Sequence, residues 1–318
     1  MLEALKFVQG AVAKKDFVQA LTHFRIENGL VKGYNGMLGL CGPIALDMAV
    51  TPRAVQFVKA IQTCKDTIAL HLTAAGKLSI KSGPFKAYID CINEPWPGVD
   101  PEGDIVQLNG ASILKPLSLL YPFIAEDASR PWARGILLKG QSATATNNVI
   151  LVEHWMGIPF PIVVNIPKLA VTELLRINEE PTHMQVAENS VTFHFAGNRW
   201  LKTQTYSLEW PDLSKVLDAD SAPVEIPEGF FDAIDDLLPF VGERGAVMFK
   251  TDGSLTTSSA EGEGATIELP YIGAVGMYSL EQLRRLGSVA TRADFTRYPK
   301  PVLFFGDGIR GAFIGMRV

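Results

Sequence analysis

A threefold internal repeat is the feature of this sequence that most constrains its fold, because a repeat this long requires three similar structural units. Three strand-like runs end in a similar way: GLVKGYNG at 29–36, GILLKGQS at 135–142 and AVMFKTDGS at 246–254. Their lysines, Lys32, Lys139 and Lys250, lie at intervals of 107 and 111 residues. A chain of 318 residues is long enough for two or three domains with separate cores.

A helix signal follows each of these runs. Thr51 and Pro52 resemble an N-cap and a proline at the first helical position. Pro167 opens the second helix, and Ser279 with Gln282 matches a capping box at the third. The predicted helix starts, 52, 167 and 280, are spaced by 115 and 113 residues.

The remaining segments of each repeat complete the same pattern. A helical segment begins each unit, and two strand-like runs around a turn follow each second helix. Linkers rich in turn formers lie at Asn93–Gly103 and Asp218–Pro227. We therefore predict an α+β fold of three domains, 1–98, 104–217 and 224–318, each built as helix, strands, helix, strands.

Composition and charge indicate a globular protein without a strong positive field. Hydrophobic residues make up 47% of the chain and charged residues 20%, and the net charge is −5. The widely spaced Cys41, Cys64 and Cys91 are expected to be reduced thiols rather than disulfides or zinc ligands. The N-terminus does not resemble a signal peptide, and no run approaches 18 apolar residues. We therefore expect a cytoplasmic protein, or one in the host cytoplasm if a phage encodes it.

The patterns of known catalytic sites do not occur in this sequence. The five histidines form no HExxH or H-x-H pattern, no GxSxG occurs, and no GK[ST] follows the glycines between 29 and 39. Glu153 and His154 are adjacent, so on a strand their side chains point to opposite faces. An acidic run (Glu228, Asp232, Asp235 and Asp236) has a spacing typical of a helix surface rather than of a metal site. We predict a protein that is not an enzyme and uses no metal or cofactor.

Four local matches accompany the repeat. They are IPKLAVTELLRI at 166–177, TATNNVIL at 144–151, EWPDLSKVL at 209–217 and the terminal Gly315-Met316-Arg317-Val318. In this order and at these distances, they resemble the bacterial DNA polymerase III beta sliding clamp family over essentially the whole chain. The family has TATDGHRL-like, Phe-Pro-Asp-containing and Pro-Met-Arg-Leu sequences at the last three places, so Trp210 replaces a phenylalanine.

The resemblance implies half of a six-domain ring. Two copies of the chain would close around double-stranded DNA, with helices lining the hole and sheets forming the outer wall. Such a homodimer would tether a DNA polymerase and would be placed on DNA by a clamp loader. A ring that is topologically linked to DNA needs only weak, sequence-blind contacts, because many tight phosphate contacts would oppose sliding. The alternative is a three-domain scaffold or clamp-like regulatory protein that does not bind DNA.

Basic residues on or beside the predicted helices are the candidates for DNA contact. By resemblance, Lys15 falls near a basic loop residue of the family that touches DNA, and Trp132 replaces an aromatic residue near the template path. The full set comprises Lys6, Lys14, Lys15, Arg53, Lys59, Lys115, Arg130, Trp132, Arg134, Lys168, Arg176, Arg284, Arg285 and Arg292.

A second site implied by the resemblance is a groove for peptides from polymerases and the clamp loader, between domains two and three. Its residues carried over from the family are mostly apolar, as peptide anchors require. They are Thr146, Asn148, Val149, Ile150, Leu151, Pro211, Lys215, Val216, Ile314 and Met316. Core packing was the alternative interpretation for Leu151 and Val216. Asn148 replaces a glycine, and Val149-Ile150 replaces a His-Arg pair, so we expect an altered peptide preference.

Overall fold

The computed structural model describes residues 1–127, 129–206, 209–257, 263–270 and 272–317. It confirms the predicted α+β class, with antiparallel sheets and short helices. No helix among these residues is long and apolar enough to cross a membrane. The carboxy-terminal match includes Val318, which lies outside the described residues.

The helices in the described part of the chain are short, and three of the seven are followed by a single 3-10 turn. The α-helices are α1 Leu2–Val8, α2 Ala54–Thr63, α3 Leu114–Leu120, α4 Lys168–Ile177, α5 Ser214–Leu217, α6 Phe230–Asp235 and α7 Leu280–Leu286. The 3-10 turns are Gln9–Ala11, Gln19–Thr22, Tyr121–Phe123, Pro131–Ala133, Leu238–Phe240 and Phe295–Arg297.

The strands before α3 are β1 Arg25–Glu27, β2 Leu30–Tyr34, β3 Leu38–Pro43, β4 Ala69–Leu72, β5 Lys77–Ser82, β6 Phe85–Asp90 and β7 Asp104–Gln107. Those between α3 and α5 are β8 Gly135–Thr146, β9 Ile150–Pro167, β10 His183–Val186, β11 Ser190–Phe195 and β12 Arg199–Gln204. The last are β13 Val224–Glu225, β14 Ala246–Phe249, β15 Ser254–Thr256, β16 Thr266–Glu268, β17 Gly276–Ser279, β18 Arg292–Asp294, β19 Val302–Gly306 and β20 Ile309–Phe313.

The order helix, strands, helix, strands recurs three times along the chain. The first helices of the three repeats are α1, α3 and α6, and each is followed by a 3-10 turn. The second helices are α2, α4 and α7, and each precedes three strands. The Ser279 hydroxyl accepts a hydrogen bond from the Gln282 amide, as the capping box predicted. The predicted proline start is wrong for α2, because Pro52 precedes an extended Arg53 and the helix begins at Ala54.

Contacts divide the chain into two compact units, of which the first comprises Met1–Gly110 and Leu169–Ser207. Its larger sheet has the order β1-β2-β3-β12-β11-β10-β7, and its smaller sheet has the order β4-β5-β6. Helices α1 and α2 pack together and bury Leu5, Val8, Phe57 and Ile61. This unit joins strands of the first repeat to strands that follow α4 in the second.

The second unit comprises Ala111–Lys168 and Leu208–Val318. Its larger sheet has the order β13-β18-β19-β20-β9-β8, and its smaller sheet has the order β16-β15-β14-β17. An aromatic core surrounds Phe295, with Phe230, Phe249 and Tyr278 within 6.3 Å between ring centroids. Burial raises the pKa of the Tyr278 hydroxyl well above its usual value.

The two larger sheets each join two repeats through a single antiparallel pair of strands. β3 pairs with β12 from Leu38↔Thr203 to Cys41↔Trp200. β9 pairs with β20 from Ile150↔Phe313 to His154↔Ile309. In both cases a strand from the first half of one repeat pairs with the last strand of the following repeat. The predicted three-domain boundaries stay a prediction, since this continuity merges neighbouring repeats within each contact unit.

Candidate functional site

Most of the candidate DNA-contacting cations are exposed and have no carboxylate within salt-bridge distance in the described part of the chain. Lys6 lies in the last turn of α1, and Lys59 lies on α2. Lys14 and Lys15 occupy the loop before the second 3-10 turn. The exposed candidates without such a pair are Lys6, Lys14, Lys15, Arg53, Lys59, Lys115, Arg130, Arg134 and Arg292.

Two of the candidate arginines are used to hold helices together within a unit. The Arg176 guanidinium pairs with Glu173 at 2.5 Å and donates to the Phe7 carbonyl, at the end of α1, at 2.7 Å. In the second unit, Arg285 pairs with Glu281 at 2.6 Å and donates to the carbonyl of Pro122, just after α3, at 2.6 Å. Each arginine therefore satisfies a carbonyl at the end of a preceding helix.

Two other candidate cations offset nearby carboxylates. The Lys168 ammonium pairs with Glu126 and lies 5.3 Å from the centre of the Tyr121 ring. Arg284 on α7 pairs with Asp235 on α6. The acidic segment from Glu228 to Asp236 therefore packs beside α7, and Arg284 of α7 offsets part of the negative charge of that segment. No metal-binding group of histidine, cysteine and acidic residues occurs among the described residues.

Two candidates lie in settings that differ from those expected. Arg292 is on strand β18, paired with Phe305, and not on a helix. Its guanidinium stacks over the Phe305 ring at 5.9 Å. The Trp132 ring packs edge-on against Trp210, with 5.0 Å between ring centroids. Trp132 thus lies beside the linker residue that replaces the family's phenylalanine, next to Pro211 of the predicted peptide groove.

A cavity of about 540 Å³ in the first unit brings several candidate cations together. Lys6 and Lys14 line it, together with Arg176. Val12 and Val55 give it an apolar wall. Its lining combines cationic and apolar side chains, which suits a ligand with an anionic group and an apolar part.

The carried-over groove residues surround an apolar cluster in the second unit. Leu151, Leu217, Leu303 and Ala312 form its buried part. The half-buried side chains packed on it are Trp210, Leu213, Val216, Ala219 and Phe305. The linker with α5 therefore covers one face of the sheet at the β9–β20 pair, and its outward side leaves an incompletely buried apolar surface. We call these half-buried side chains, together with Val149 and Ile314, the linker surface.

The carried-over residues differ in burial. Ile150 is fully buried, on the face of β9 opposite to Leu151. Leu151 and Thr146 are also buried, and the Thr146 hydroxyl donates to the Ile150 carbonyl at 2.8 Å. All three side chains are buried in the described structure, and their place in the groove stays a prediction. Val216 is half-buried, and Pro211 and Lys215 are exposed.

The turn between β8 and β9 is held by its asparagines. The Asn147 side chain accepts from the Ile150 amide at 2.8 Å and donates to Gln282 at 2.6 Å. Asn148 has a φ of 73°, a left-handed conformation that favours glycine and that asparagine tolerates. The Asn148 side-chain oxygen (Oδ1) and the Trp210 indole nitrogen are buried without a hydrogen-bond partner among the described residues.

The chain end is fixed against its neighbours at the same surface. The Ile314 amide donates to the Val149 carbonyl at 3.0 Å, and about half of the Ile314 side chain is exposed. The Met316 amide donates to the Met277 carbonyl at 2.7 Å, and the Tyr298 hydroxyl donates to the Met316 carbonyl at 2.9 Å. Ile314 and Met316 are therefore well-ordered parts of the surface.

Sequence reasoning missed several residues of these surfaces. Leu213, Ala219 and Phe305 belong to the linker surface but were not among the residues predicted for the groove. The spacing of Trp210, Leu213 and Leu217 along the linker was a usable signal, since it places them on one side of a helical turn. Phe17, fully exposed beside Lys14 and Lys15, was not predicted, because exposure cannot be read from the sequence.

Groups that could do chemistry are in ordinary structural settings. The His183 and His194 rings stack across β10 and β11, with 4.4 Å between their centroids. Burial lowers the pKa of His194, with a smaller effect from the charge of His183. Burial raises the pKa of the Cys41 thiol to about 11, which leaves it unreactive at neutral pH. All three cysteines are free thiols, as predicted.

Solved structures of bacterial DNA polymerase III beta sliding clamps share this fold over its whole length. Each comparison covers 100% of this chain and 97% of the solved chain. The clamp of Caulobacter crescentus gives a TM-score of 0.82 at 19% sequence identity. The beta subunit of Streptococcus pyogenes DNA polymerase gives 0.82 at 14%, and the griselimycin-bound clamp of Bartonella birtlesii gives 0.83 at 18%.

The resemblance predicted from the sequence is therefore confirmed at the level of the fold. No protein-family model matches the sequence, and no curated protein matches it. Identities of 14–19% mean that the fold is shared while most side chains differ.

Proposed function

We propose that this protein is a DNA sliding clamp that encircles double-stranded DNA as a homodimer and tethers a DNA polymerase during synthesis. The observation that carries the proposal is the match of the whole chain to beta sliding clamps at TM-scores of 0.79–0.83. The proposed protein is a processivity factor without catalytic activity, working in the cytoplasm. Three features of the chain support the ring, the DNA contact and the partner contact.

The first feature is the way in which sheets pair between repeats, because two half-sheets have no partner from another repeat in the described part of the chain. First-half strands of the first repeat pair with the second, and those of the second pair with the third. Only β4-β5-β6 and β16-β15-β14-β17 remain without strands from another repeat in the described part of the chain. The same rule, applied once more, pairs the third repeat with the first repeat of a second copy. Two copies of three repeats then form a closed set of six.

Equivalent positions identify the strands that would meet between subunits. In the third repeat β17 leads into the second helix, and in the second repeat the end of β9 does so. The strand that pairs with the neighbouring repeat is the one furthest across the sheet from this lead-in strand. By this equivalence β16 corresponds to β3 and to the start of β9, while β6 corresponds to β12 and β20. The exposed Lys86 on β6 and the exposed Glu268 on β16 give these edges opposite charges.

The second feature is the distribution of cations that are not paired within the chain. The net charge of −5 means that the protein as a whole repels DNA. Lys6, Lys14, Lys59 and Lys115 are nevertheless exposed on or beside helices. Weak contacts of this kind hold DNA without sequence preference and allow sliding. Arg130, Trp132, Arg134, Lys168 and Arg292 are proposed as further DNA contacts.

The third feature is the linker surface, which we propose as the docking site for polymerase and clamp-loader peptides. Val149, Val216 and Ile314 present apolar groups beside the exposed Lys215 and Pro211. The uncovered apolar patch over a fixed sheet suits leucine or phenylalanine anchors. Replacing Val216 with glutamate should weaken binding of a synthetic peptide with adjacent leucine and phenylalanine by more than tenfold in calorimetry. The exposed Lys65→Glu is the control, and equal binding by both variants would contradict the site.

Retention on DNA tests the clamp function itself. The protein, mixed with a clamp loader, ATP and nicked circular DNA, should stay with the DNA through gel filtration. Linearising the circle afterwards should release it, because a ring can slide off an end. Equal loss from both forms would remove the sliding proposal and favour the alternative of a scaffold or regulatory protein that does not bind DNA. The solution mass should be twice 34.7 kDa.

A further inference from the structure

Phe17 is the most exposed large hydrophobic side chain in the described part of the chain, at 105% of its reference area. Aromatic rings usually supply core or interface area, so a ring wholly in water indicates a contact that is made only with a partner. Val18, the next residue, is also more than half exposed.

The exposure of Phe17 comes from an ordered loop. The Ala13 amide donates to the Leu21 carbonyl at 2.9 Å and closes the base of the loop. The Val18 amide donates to the Asp16 carboxylate at 2.8 Å, and the Leu21 amide donates to the Val18 carbonyl at 3.1 Å. Phe17 thus lies at the tip of a compact loop with its ends held together.

The charged residues of this loop are two lysines and Asp16, so positive charge is in excess. Lys14 and Lys15 are exposed and precede Phe17 by three and two residues. Lys14 also lines the 540 Å³ cavity with Lys6, against the apolar Val12. Glu173 offsets the charge of Arg176, so the two lysines carry the net charge of the cavity.

We propose that this loop and cavity bind an unpaired stretch of DNA, with the Phe17 ring stacked on a base and Lys6 and Lys14 on neighbouring phosphates. The proposal rests on the proposed clamp function, and its ligand is the single strand beside a primer end. In a duplex the base faces are already stacked on one another and only phosphates remain for the lysines. A nucleotide supplies both a π-face and an anion, which matches an aromatic ring among lysines. An apolar protein partner would instead leave the charges of Lys14 and Lys15 unsatisfied.

Direct binding by the unloaded protein tests the proposal. Fluorescence anisotropy of labelled oligo-dT and of a blunt duplex is measured at low salt for the wild type and for Phe17→Ala, Phe17→Trp and Lys14→Glu. Matched controls are Trp155→Ala, an exposed aromatic residue of the other contact unit, and Lys65→Glu. Thermal unfolding of each variant checks that it is folded.

Phe17→Ala should weaken oligo-dT binding roughly tenfold and leave duplex binding within about twofold, since stacking is lost while phosphate contacts remain. Phe17→Trp should retain oligo-dT binding, and Lys14→Glu should weaken both ligands. The two control variants should match the wild type.

Three results would overturn the proposal: no oligo-dT binding by the wild type, an unchanged affinity in Phe17→Ala, or an equal loss for oligo-dT and duplex. A shift of the solution mass caused by Phe17→Ala, with DNA binding unchanged, would assign the loop to a protein contact and also overturn it. Retention of the wild type on circular DNA is read separately, so failure of the clamp function and failure of this site give different results.

Discussion

Asn148 shows how a single residue preserves a backbone conformation while changing a surface. Its φ of 73° lies in the left-handed region, where the related family sequence has glycine. Asparagine is among the few side chains that tolerate this region. The change from the family pattern is therefore compatible with the same turn, and it adds an amide beside the linker surface.

Substitutions at Asn148 should report this conformation. We expect Asn148→Ala to lower the free energy of unfolding by about 1 kcal/mol, because an alanine Cβ is strained at positive φ. Asn148→Gly should stay within about 0.5 kcal/mol of the wild type, since glycine adopts the conformation freely. Urea denaturation gives both values, and equal stability of the two variants would contradict the left-handed assignment.

His154 makes stability depend on pH. Burial lowers its pKa below the usual 6.5, and the charge of Lys115 lowers it further, against a hydrogen bond to the Gly308 backbone that raises it. The unfolded chain therefore takes up a proton at a higher pH than the folded protein does. The stability contributed by the neutral ring is complete above about pH 6.5 and is lost as the pH falls below that value.

Replacing His154 with glutamine should flatten this dependence. Urea denaturation at pH 5, 6, 7 and 8 should show the wild type losing stability toward pH 5 more steeply than His154→Gln. The difference in slope is at most about 1.4 kcal/mol per pH unit for one proton. His23, whose pKa is also lowered by burial, supplies a residual slope in the variant. Identical slopes in both proteins would show that His154 does not titrate as inferred.

At the scale of elements, arginines connect the end of one helix to the side of another. Arg176 on α4 reaches the Phe7 carbonyl of α1 while it offsets the charge of the buried Glu173. Gly10 follows α1 at this contact, and a Cβ there would lie 2.0 Å from the Glu173 carboxylate. A larger residue at position 10 would therefore displace the Glu173 and Arg176 side chains from their present positions.

Removing Arg176 should destabilise the first unit. We expect Arg176→Ala to lower the free energy of unfolding by about 1–3 kcal/mol, because Glu173 loses its partner and the α1 carbonyl loses a donor. Lys59→Ala, an exposed change on α2, should stay within about 0.5 kcal/mol. Guanidinium denaturation compares the two, and a neutral Arg176→Ala would show that the ion pair contributes no net stability.

At the scale of the whole molecule, the unshared half-sheets are the basis of the proposed dimer. β6 and β16 are edge strands, and an exposed edge strand is an aggregation risk unless it is covered. Pairing between two copies would remove both edges. The proposed assembly would therefore also give hydrogen-bond partners to the unpaired backbone N–H and C=O groups of these two strands.

Charge reversal at the edges should control the assembly. Lys86→Glu should shift sedimentation velocity from dimer toward monomer, because it places a negative charge opposite the Glu268 region of the second copy. Adding Glu268→Lys should restore the dimer. Lys65→Glu changes the net charge equally and should leave the mass unchanged. A monomeric wild type, or no effect of Lys86→Glu, would contradict the proposed interface.

The site was predicted less completely than the fold. The groove stays a prediction, and its members Val149, Val216 and Ile314 are partly exposed. Ile150 and Leu151 face opposite sides of β9 and are both buried, which the sequence alone does not show. Trp132 was assigned to DNA, and its contact with Trp210 depends on a turn that brings residues far apart in the chain together.

The sequence alone determined the repeat, the order of elements and the α+β class, because hydrophobic periodicity and capping residues act over a few neighbouring positions. The tertiary structure decided which strands pair across repeats, which arginines are used between helices and which apolar groups stay uncovered. These outcomes depend on contacts between residues more than a hundred positions apart, such as Arg176 with Phe7 and Arg285 with Pro122. Local patterns carry no information about such contacts. Phe17 and Leu217 are both large apolar residues in the sequence, yet Phe17 is fully exposed and Leu217 is buried.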